Sequence, residues 1–272
     1  MTPSRAPPRL ARRLRRAILA LALVYLCALV VITSLQRKLL FPVPPAEPVP
    51  AGRGALIDAR APARFVAHHA PARGGATVVY FHGNGDQLAG AVDLGGLFTA
   101  AGYGFYAVEY PGYGPFRDGS PSEPAILAAA EASLTHLRDA LHVPTARTVL
   151  VGQSLGSGVA TEMARRGHGA KVVLLSPFLS IPDVAALHFP WLPVRALIRD
   201  RFDSAARAPS VTQPVLVIHG AADALIPRSQ GEALSRRFPR GRFVAVRGAG
   251  HNDLWGAYAS QVLEAIDAFI RE

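Results

Sequence analysis

The stretch Thr148-Val-Leu-Val-Gly-Gln-Ser-Leu-Gly-Ser-Gly158 constrains what this chain can fold into more than any other. A β-branched apolar run ends in Gly-x-Ser-x-Gly, and the small, apolar residues that follow (Val159, Ala160, Met163, Ala164) predict a packed helix. A strand that reverses into a helix within so few residues holds the middle serine in a strained backbone conformation. Only small neighbours permit it, so Gly152 and Gly156 read as steric requirements. Ser154 would stand clear of the sheet at the positive end of the helix dipole. The bare pattern also occurs in ordinary loops; the strand before it and the helix after it give it a catalytic reading.

The rest of the chain alternates in the same manner. Apolar runs at Ala76–Phe81, Gly104–Glu109, Lys171–Leu175, Pro214–Ile218 and Arg242–Val246 read as buried strands. Helical patterns separate them: one up to Ala101, Ala125 to Leu141 with apolar residues at helical spacing, Ser229 to Phe238, and Trp255 to Ile270. Ala55 to His69 offers two weaker strands, an opening hairpin. Near-continuous apolar strands divided by helices predict an α/β fold, a mostly parallel sheet with helices on both faces. Sites in such sheets lie at the carboxyl ends of the strands.

The net charge of +10 suggests nucleic acid at first sight, but its distribution argues against it. Arg5, Arg9, Arg12, Arg13, Arg15 and Arg16 precede the first apolar run, and Arg37 and Lys38 follow it; removing these eight charges leaves +2 for the remainder. That is too little for a phosphate-binding footprint. Ala17 to Gln36 carries no charge, and about twenty residues at 1.5 Å rise span roughly 30 Å of hydrocarbon. Ala20-Leu-Ala22 lies too deep in the apolar core to serve as a cleavage site, so an uncleaved signal anchor is favoured over a signal peptide. The expected organisation is a basic cytoplasmic tail (1–16), a transmembrane anchor (17–36), a proline-rich spacer (37–54) and one catalytic domain (55–272). The arginine cluster predicts a cytoplasmic N-terminus, with the domain on the opposite side, periplasmic if the source is bacterial. Cys27, the only cysteine, lies inside the apolar run, so no disulfide forms within one chain.

Three loops just past strands carry the chemistry. His82-Gly-Asn-Gly85 could turn backbone amides toward the serine, with Asn84 and Leu155 N–H as oxyanion donors, although a glycine turn alone would look the same. His82 reads as a loop brace rather than a base. Asp223 follows one buried strand and suits a carboxylate that orients an imidazole; His251 follows the last strand in a small-residue loop. The order Ser154, Asp223, His251 is that of a triad built on a doubly wound sheet. Among other acids, Asp253, together with Asn252, reads as the cap of the last helix, Glu109 as a tie between loops, and Asp86 as the opening of the next helix. No His-Glu-x-x-His, dinucleotide fingerprint or phosphate loop is present, and neither a cofactor nor a metal is expected.

Several motifs together resemble the α/β-hydrolase superfamily over roughly Ala55 to Ile270: Phe81-His-Gly-Asn-Gly85, Tyr110-Pro-Gly-Tyr-Gly114, Pro121-Ser-Glu123, Gly152-Gln-Ser-Leu-Gly156, Ser176-Pro-Phe178, His219-Gly-Ala-Ala-Asp223 and Gly250-His-Asn-Asp-Leu254. With Gln36-Arg-Lys-Leu-Leu-Phe-Pro42 after the anchor, the chain is similar to membrane-anchored, small-lid serine hydrolases related to serine aminopeptidase-like enzymes and animal protein depalmitoylases. The resemblance implies Ser154 as nucleophile, His251 as base and Asp223 as orienting acid. Glu109-Tyr-Pro111 departs from the Asp-x-Arg that relatives often carry before Gly-Tyr-Gly.

Between Pro177 and Pro214 a long, apolar connection, broken by Pro182, Pro190 and Pro193, reads as a small helical lid at about 178–213 or as a satellite core. Arg195, Arg199, Asp200, Arg201 and Asp203 are expected to face water. The leading function is hydrolysis of an ester or thioester of a hydrophobic acyl group, with a small-molecule or lipid-like substrate, the membrane as the one other partner, and no obligate protein partner. An aminopeptidase would need an acidic patch for an α-amino group, and a membrane-tethered scaffold would need no triad.

Overall fold

The computed structural model describes residues 8–50, 54–60 and 63–272. The expected tail and spacer therefore fall in part outside the described residues, at 1–7 and 51–53. The chain divides into two units, Met1–Leu40 and Phe41–Glu272. In the first, a single helix α1 runs over Pro8–Leu40, four residues past the uncharged run that ends at Gln36. It is the one described helix long and apolar enough to cross a membrane.

The second unit is built on one sheet of eight strands: β1 (Ala55–Ala59), β2 (Phe65–Ala70), β3 (Thr77–Phe81), β4 (Gly104–Glu109), β5 (Thr148–Gln153), β6 (Lys171–Leu175), β7 (Val215–Gly220) and β8 (Gly241–Val246). Their order is β1-β2-β4-β3-β5-β6-β7-β8. β2 runs antiparallel to both its neighbours, so the opening hairpin is present, and every pairing from β4 across to β8 is parallel. Central strands β3, β4 and β7 are buried along their whole length, which is why they read as unbroken apolar runs rather than alternating ones.

Helices α2 (Leu88–Ala100), α3 (Glu123–Asp139), α4 (Leu155–Arg165), α8 (Arg228–Ser235) and α9 (Ala259–Arg271) connect or close the strands. Ser122 caps α3, its Oγ accepting from the Ala125 amide, with Pro124 in the first turn where a missing N–H costs nothing. The last helix begins at Ala259 rather than Trp255, after a run of turns. Asn252 and Asp253 are therefore not its cap. Asp86 likewise lies one residue before the α2 cap position, Gln87, and accepts from the Gln87 amide. From β3 the chain steps outward to β4 and then returns to β5 on the other side. The loops after β3 and β5 thus diverge at a topological switch point, where open α/β sheets place their sites.

Where a spacer is expected, residues 41–47 are instead strapped to the second unit. Phe41 is buried and its ring meets that of Phe202, centroids 6.5 Å apart. Gln87 binds the strap at two points, Nε2 donating to Pro45 O (3.0 Å) and Oε1 accepting from Glu47 N (3.2 Å).

The 176–214 connection holds three short helices, α5 (Ile181–His188), α6 (Val194–Leu197) and α7 (Ser204–Arg207). Its two expected characters occupy different parts. Phe178, Val194 and Phe202 are buried as a satellite core, while Leu187, Phe189 and Trp191 are exposed. Asp200 departs from expectation: it is buried and accepts from the Glu123 amide at 2.8 Å. A buried polar side chain is tolerated there because a backbone donor meets it.

Candidate active site

Ser154 occupies the turn between β5 and α4 with φ 49° and ψ −114°, a left-handed conformation that costs a non-glycine residue energy and persists only where neighbours enforce it. They do so by close approach. A Cβ on Gly152 would lie 2.2 Å from Gly156 O, and one on Gly156 would lie 2.0 Å from Phe81 O. The turn is held further by Ser154 N donating to Leu175 O (2.9 Å), and by Ser157 N and Oγ both donating to Ser154 O (2.9 and 2.6 Å).

The loops after β7 and β8 are bonded to each other. Ala221 N donates to Val246 O and Ala222 N to Ala249 O, both at 2.9 Å, and Gly220 passes so near that a Cβ would meet Ala249 O at 2.5 Å. This coupling brings Asp223 and His251 together across 28 residues of sequence. His251 Nδ1 lies 2.7 Å from Asp223 Oδ2, and His251 Nε2 lies 3.1 Å from Ser154 Oγ. Asp253, not a helix cap, accepts from Gly250 N at 2.7 Å and so fixes the histidine loop from behind.

Burial alone would raise the Asp223 carboxyl, but hydrogen bonds from His219, His251 and the Ile226 amide hold it well below the usual carboxylate range. Its other oxygen, Oδ1, accepts from Leu225 N (3.0 Å) and Ile226 N (2.8 Å). Asp223 is therefore a fixed anion facing the imidazole. His219 is the residue that sequence reasoning leaves without a role. Its Nε2 lies 2.8 Å from Ile226 O and 3.2 Å from Asp223 Oδ2, so it braces the acid's loop from inside the sheet. Its four-residue spacing from Asp223 was the available signal.

The loop after β3 runs beside the serine: a Cβ on Gly83 would come within 3.6 Å of Ser154 Cβ. Asn84 is held by Tyr113 Oη donating to its Oδ1 at 2.9 Å, and Tyr110 Oη donates to His82 O at 2.9 Å. Leu155, the first residue of α4, sits where helix N–H groups lack intrahelical partners. His82 is a brace as expected, with Nε2 2.9 Å from Glu109 Oε1 and Nδ1 2.9 Å from Gly83 O. Burial opposes charge on His82, yet the Glu109 carboxylate raises its pKa above the ordinary imidazole value. Glu109 also accepts from Leu88 N and Tyr110 N, so it ties three segments with one buried carboxylate. That accounts for the departure at Glu109: the tie is made by a histidine and two backbone amides.

All five site residues singled out from the sequence thus lie at the carboxyl ends of the strands. Ser154, His251 and Asp223 are in direct succession, with Asn84 and Leu155 on the two segments flanking the serine. Among the described residues no group of three or more His, Cys, Asp or Glu side chains gathers as a metal site.

Two families match in tandem, "Serine aminopeptidase, S33" over residues 73–202 and "TAP-like protein" over residues 198–272. An uncharacterized protein of Mycobacterium tuberculosis is 36% identical over 271 residues, covering 94% of this chain and 96% of that protein. Alpha/beta hydrolase domain-containing protein 17C of Homo sapiens is 37% identical over 202 residues, covering 71% of this chain and 57% of its own length. Among solved structures, an esterase of Pyrococcus furiosus shares the fold with a TM-score of 0.68 at 15% identity, over 84% of this chain and 97% of that one. Sheet order, elbow, loop geometry and these matches agree: the chain belongs to the α/β-hydrolase superfamily, in its serine hydrolase branch.

Proposed function

We propose that the protein is a membrane-anchored serine hydrolase that cleaves an ester or thioester of a hydrophobic acyl group through an acyl-enzyme. The observation that carries this is the succession Ser154 Oγ, His251 Nε2, His251 Nδ1, Asp223 Oδ2, with gaps of 3.1 and 2.7 Å. His251 accepts the hydroxyl proton as Ser154 Oγ bonds to the acyl carbon, and Asp223 stabilises the imidazolium that results. The Asn84 and Leu155 amides stabilise the tetrahedral oxyanion. The acyl carbon then releases its alcohol or thiol, protonated by His251. Water attacks in turn, returning a proton through His251 and freeing the acid.

Residues 17–36 serve as the transmembrane anchor, 1–16 as a cytoplasmic tail and 55–272 as the catalytic domain with its lid at about 178–213. The domain lies across the membrane from the arginine cluster, in the periplasm if the source is bacterial. The substrate is a small or lipid-like acyl compound, and no cofactor enters the reaction. The S33 match favours one competing reading, an aminopeptidase. Against it, Glu109 is buried and already meets three donors, which leaves it unable to receive an α-amino group.

The test is a panel of acyl esters, acyl thioesters and aminoacyl amides of graded chain length, given to the full chain reconstituted in vesicles beside Ser154→Ala. The expected result is serine-dependent turnover of esters and thioesters that rises with chain length. Faster turnover of the amides would replace this reading with the aminopeptidase one. Protease added outside intact cells, or outside spheroplasts if an outer membrane is present, should digest the domain; complete protection would reverse the orientation.

A further inference from the structure

Four large apolar side chains are exposed around one end of the hydrolase unit: Leu187 (53%), Phe189 (48%) and Trp191 (63%) on the lid, and Leu225 (49%) in the loop after β7. They form one rim. His188 Nε2 donates to Leu225 O at 2.8 Å, joining the lid to that loop, and the Phe189 and Trp191 rings meet edge to face at 6.5 Å. Leu225 N in turn donates to Asp223 Oδ1, so the rim borders the acid of the triad. A contiguous exposed patch of this kind beside a site marks a surface that is covered in use.

The strap says what covers it. Phe41 is buried against Phe202, Pro42 O lies 4.0 Å from where a Cβ on Gly85 would stand, and Gln87 clamps Pro45 and Glu47. Gly85 and Gln87 follow β3, just as Leu225 follows β7 and the lid follows β6. The point where the chain enters the hydrolase unit is thus at the same end of the sheet as Ser154 and the apolar rim. The uncharged run ends at Gln36, and α1 stays helical to Leu40. At 1.5 Å per residue, Phe41 follows the end of the hydrocarbon-spanning run by only about 8 Å, the thickness of the headgroup layer. Arg37 and Lys38 suit that level.

We propose that this rim is a docking surface for the lipid bilayer that holds the anchor, so that the mouth of the site faces the membrane and takes its acyl substrate from the lipid phase. Trp191 and Phe189 are the side chains that settle at a headgroup boundary, with an apolar body and, for the indole, a polar edge. The inference rests on the membrane-anchored reading above.

Trp191 and Trp255 are the only tryptophans, and that makes the test direct. The full chain is reconstituted in phosphatidylcholine–phosphatidylglycerol vesicles containing lipids brominated near the headgroup, and fluorescence is compared between wild type and Trp191→Phe. Brominated lipid should quench a large part of wild-type emission, with at least a twofold loss of the Trp191 component, and that component should be absent from the variant. Placing Leu225→Trp in the Trp191→Phe background should restore a lipid-quenched signal. Ala146→Trp in the same background, on the turn preceding β5, should stay open to aqueous iodide. A chain that floats with the vesicles while Trp191 is quenched by iodide and not by brominated lipid overturns the docking surface and leaves the anchor standing. A chain that does not float with them overturns both. Quenching needs no turnover, so an inactive but lipid-quenched protein would uphold the surface and refute only the hydrolase reading.

Discussion

The serine elbow and the lid are both loops between strand and next element, yet they are held by different physics. The elbow is fixed by backbone packed on backbone. Gly152, Gly156 and the Phe81 carbonyl leave no space for a side chain, and the strain at Ser154 is enforced by atoms common to every residue. The lid is fixed by side chains reaching across the fold. Glu123 at the start of α3 accepts from Arg201 N (2.7 Å) and Phe202 N (3.0 Å) and pairs with Arg207, while Asp200 answers through the Glu123 amide. Glu162 on α4 bridges the two regions, binding Arg165 and Arg166 beside it and Arg207 of the lid at 3.1 Å. The elbow is thus held by main-chain contacts that no side-chain substitution elsewhere would remove, and the lid by a few charged side chains.

Breaking the site itself gives the largest effect. Asp223→Asn should leave the fold in place, because the loop's backbone bonds to the β8 side remain, while kcat falls by about 10⁴-fold as the imidazole loses its orienting anion. Steady-state kinetics with circular dichroism would check both halves. Next comes the elbow. Gly156→Ala should cost more than about 3 kcal/mol of stability, since the obstacle is the Phe81 carbonyl and not a movable side chain; a denaturation midpoint close to wild type would contradict the packing account.

The lid should yield less. Glu123→Gln keeps the shape but replaces an accepting oxygen with a donor facing donors, for a loss of about 2–3 kcal/mol. Turnover of a short soluble ester should change by less than about tenfold if the elbow stands independently of the lid. Equal damage to stability and to kcat would mean that the two regions are one unit.

The bridge gives the smallest and most pH-dependent effect. Burial opposes ionisation of Glu162, but Arg165, Arg166 and Arg207 bring its pKa down to about 2 from 4.5. A carboxyl depressed on folding contributes stability above its unfolded pKa and loses it as pH falls through the folded one. Glu162→Gln should therefore cost about 1–2 kcal/mol, after allowance for solvent screening, at pH 6 and progressively less between pH 4.5 and 2. Urea melts of both proteins across that range measure the difference; a constant offset would remove the ion pairs from the explanation.

The same contrast explains what the sequence discloses. Ser154, Asp223 and His251 are legible because strand ends and glycines announce themselves locally, and Gly104–Glu109 and Lys171–Leu175 match their strands to the residue. Buried apolar strands carry their own signal in β-branched composition. What is illegible is held from afar. Asp200 reads as a surface acid because nothing near it in sequence reveals the Glu123 amide, 77 residues away. The strap at Phe41–Glu47 reads as a spacer because its prolines favour extended backbone. That backbone suits docking equally well, and its partner, Gln87, lies 40 residues on. His219 and Asp253 were visible as residues, but their service to Asp223 and to Gly250 depends on two loops meeting.

The most direct measurement of the central claim is covalent labelling of the folded, full-length protein with a fluorophosphonate, read by intact mass and peptide mapping. One phosphonyl group per chain is expected, on Ser154, abolished in Ser154→Ala and slowed by orders of magnitude in His251→Ala. Labelling of another serine, or a folded wild-type chain that takes up none, would contradict it.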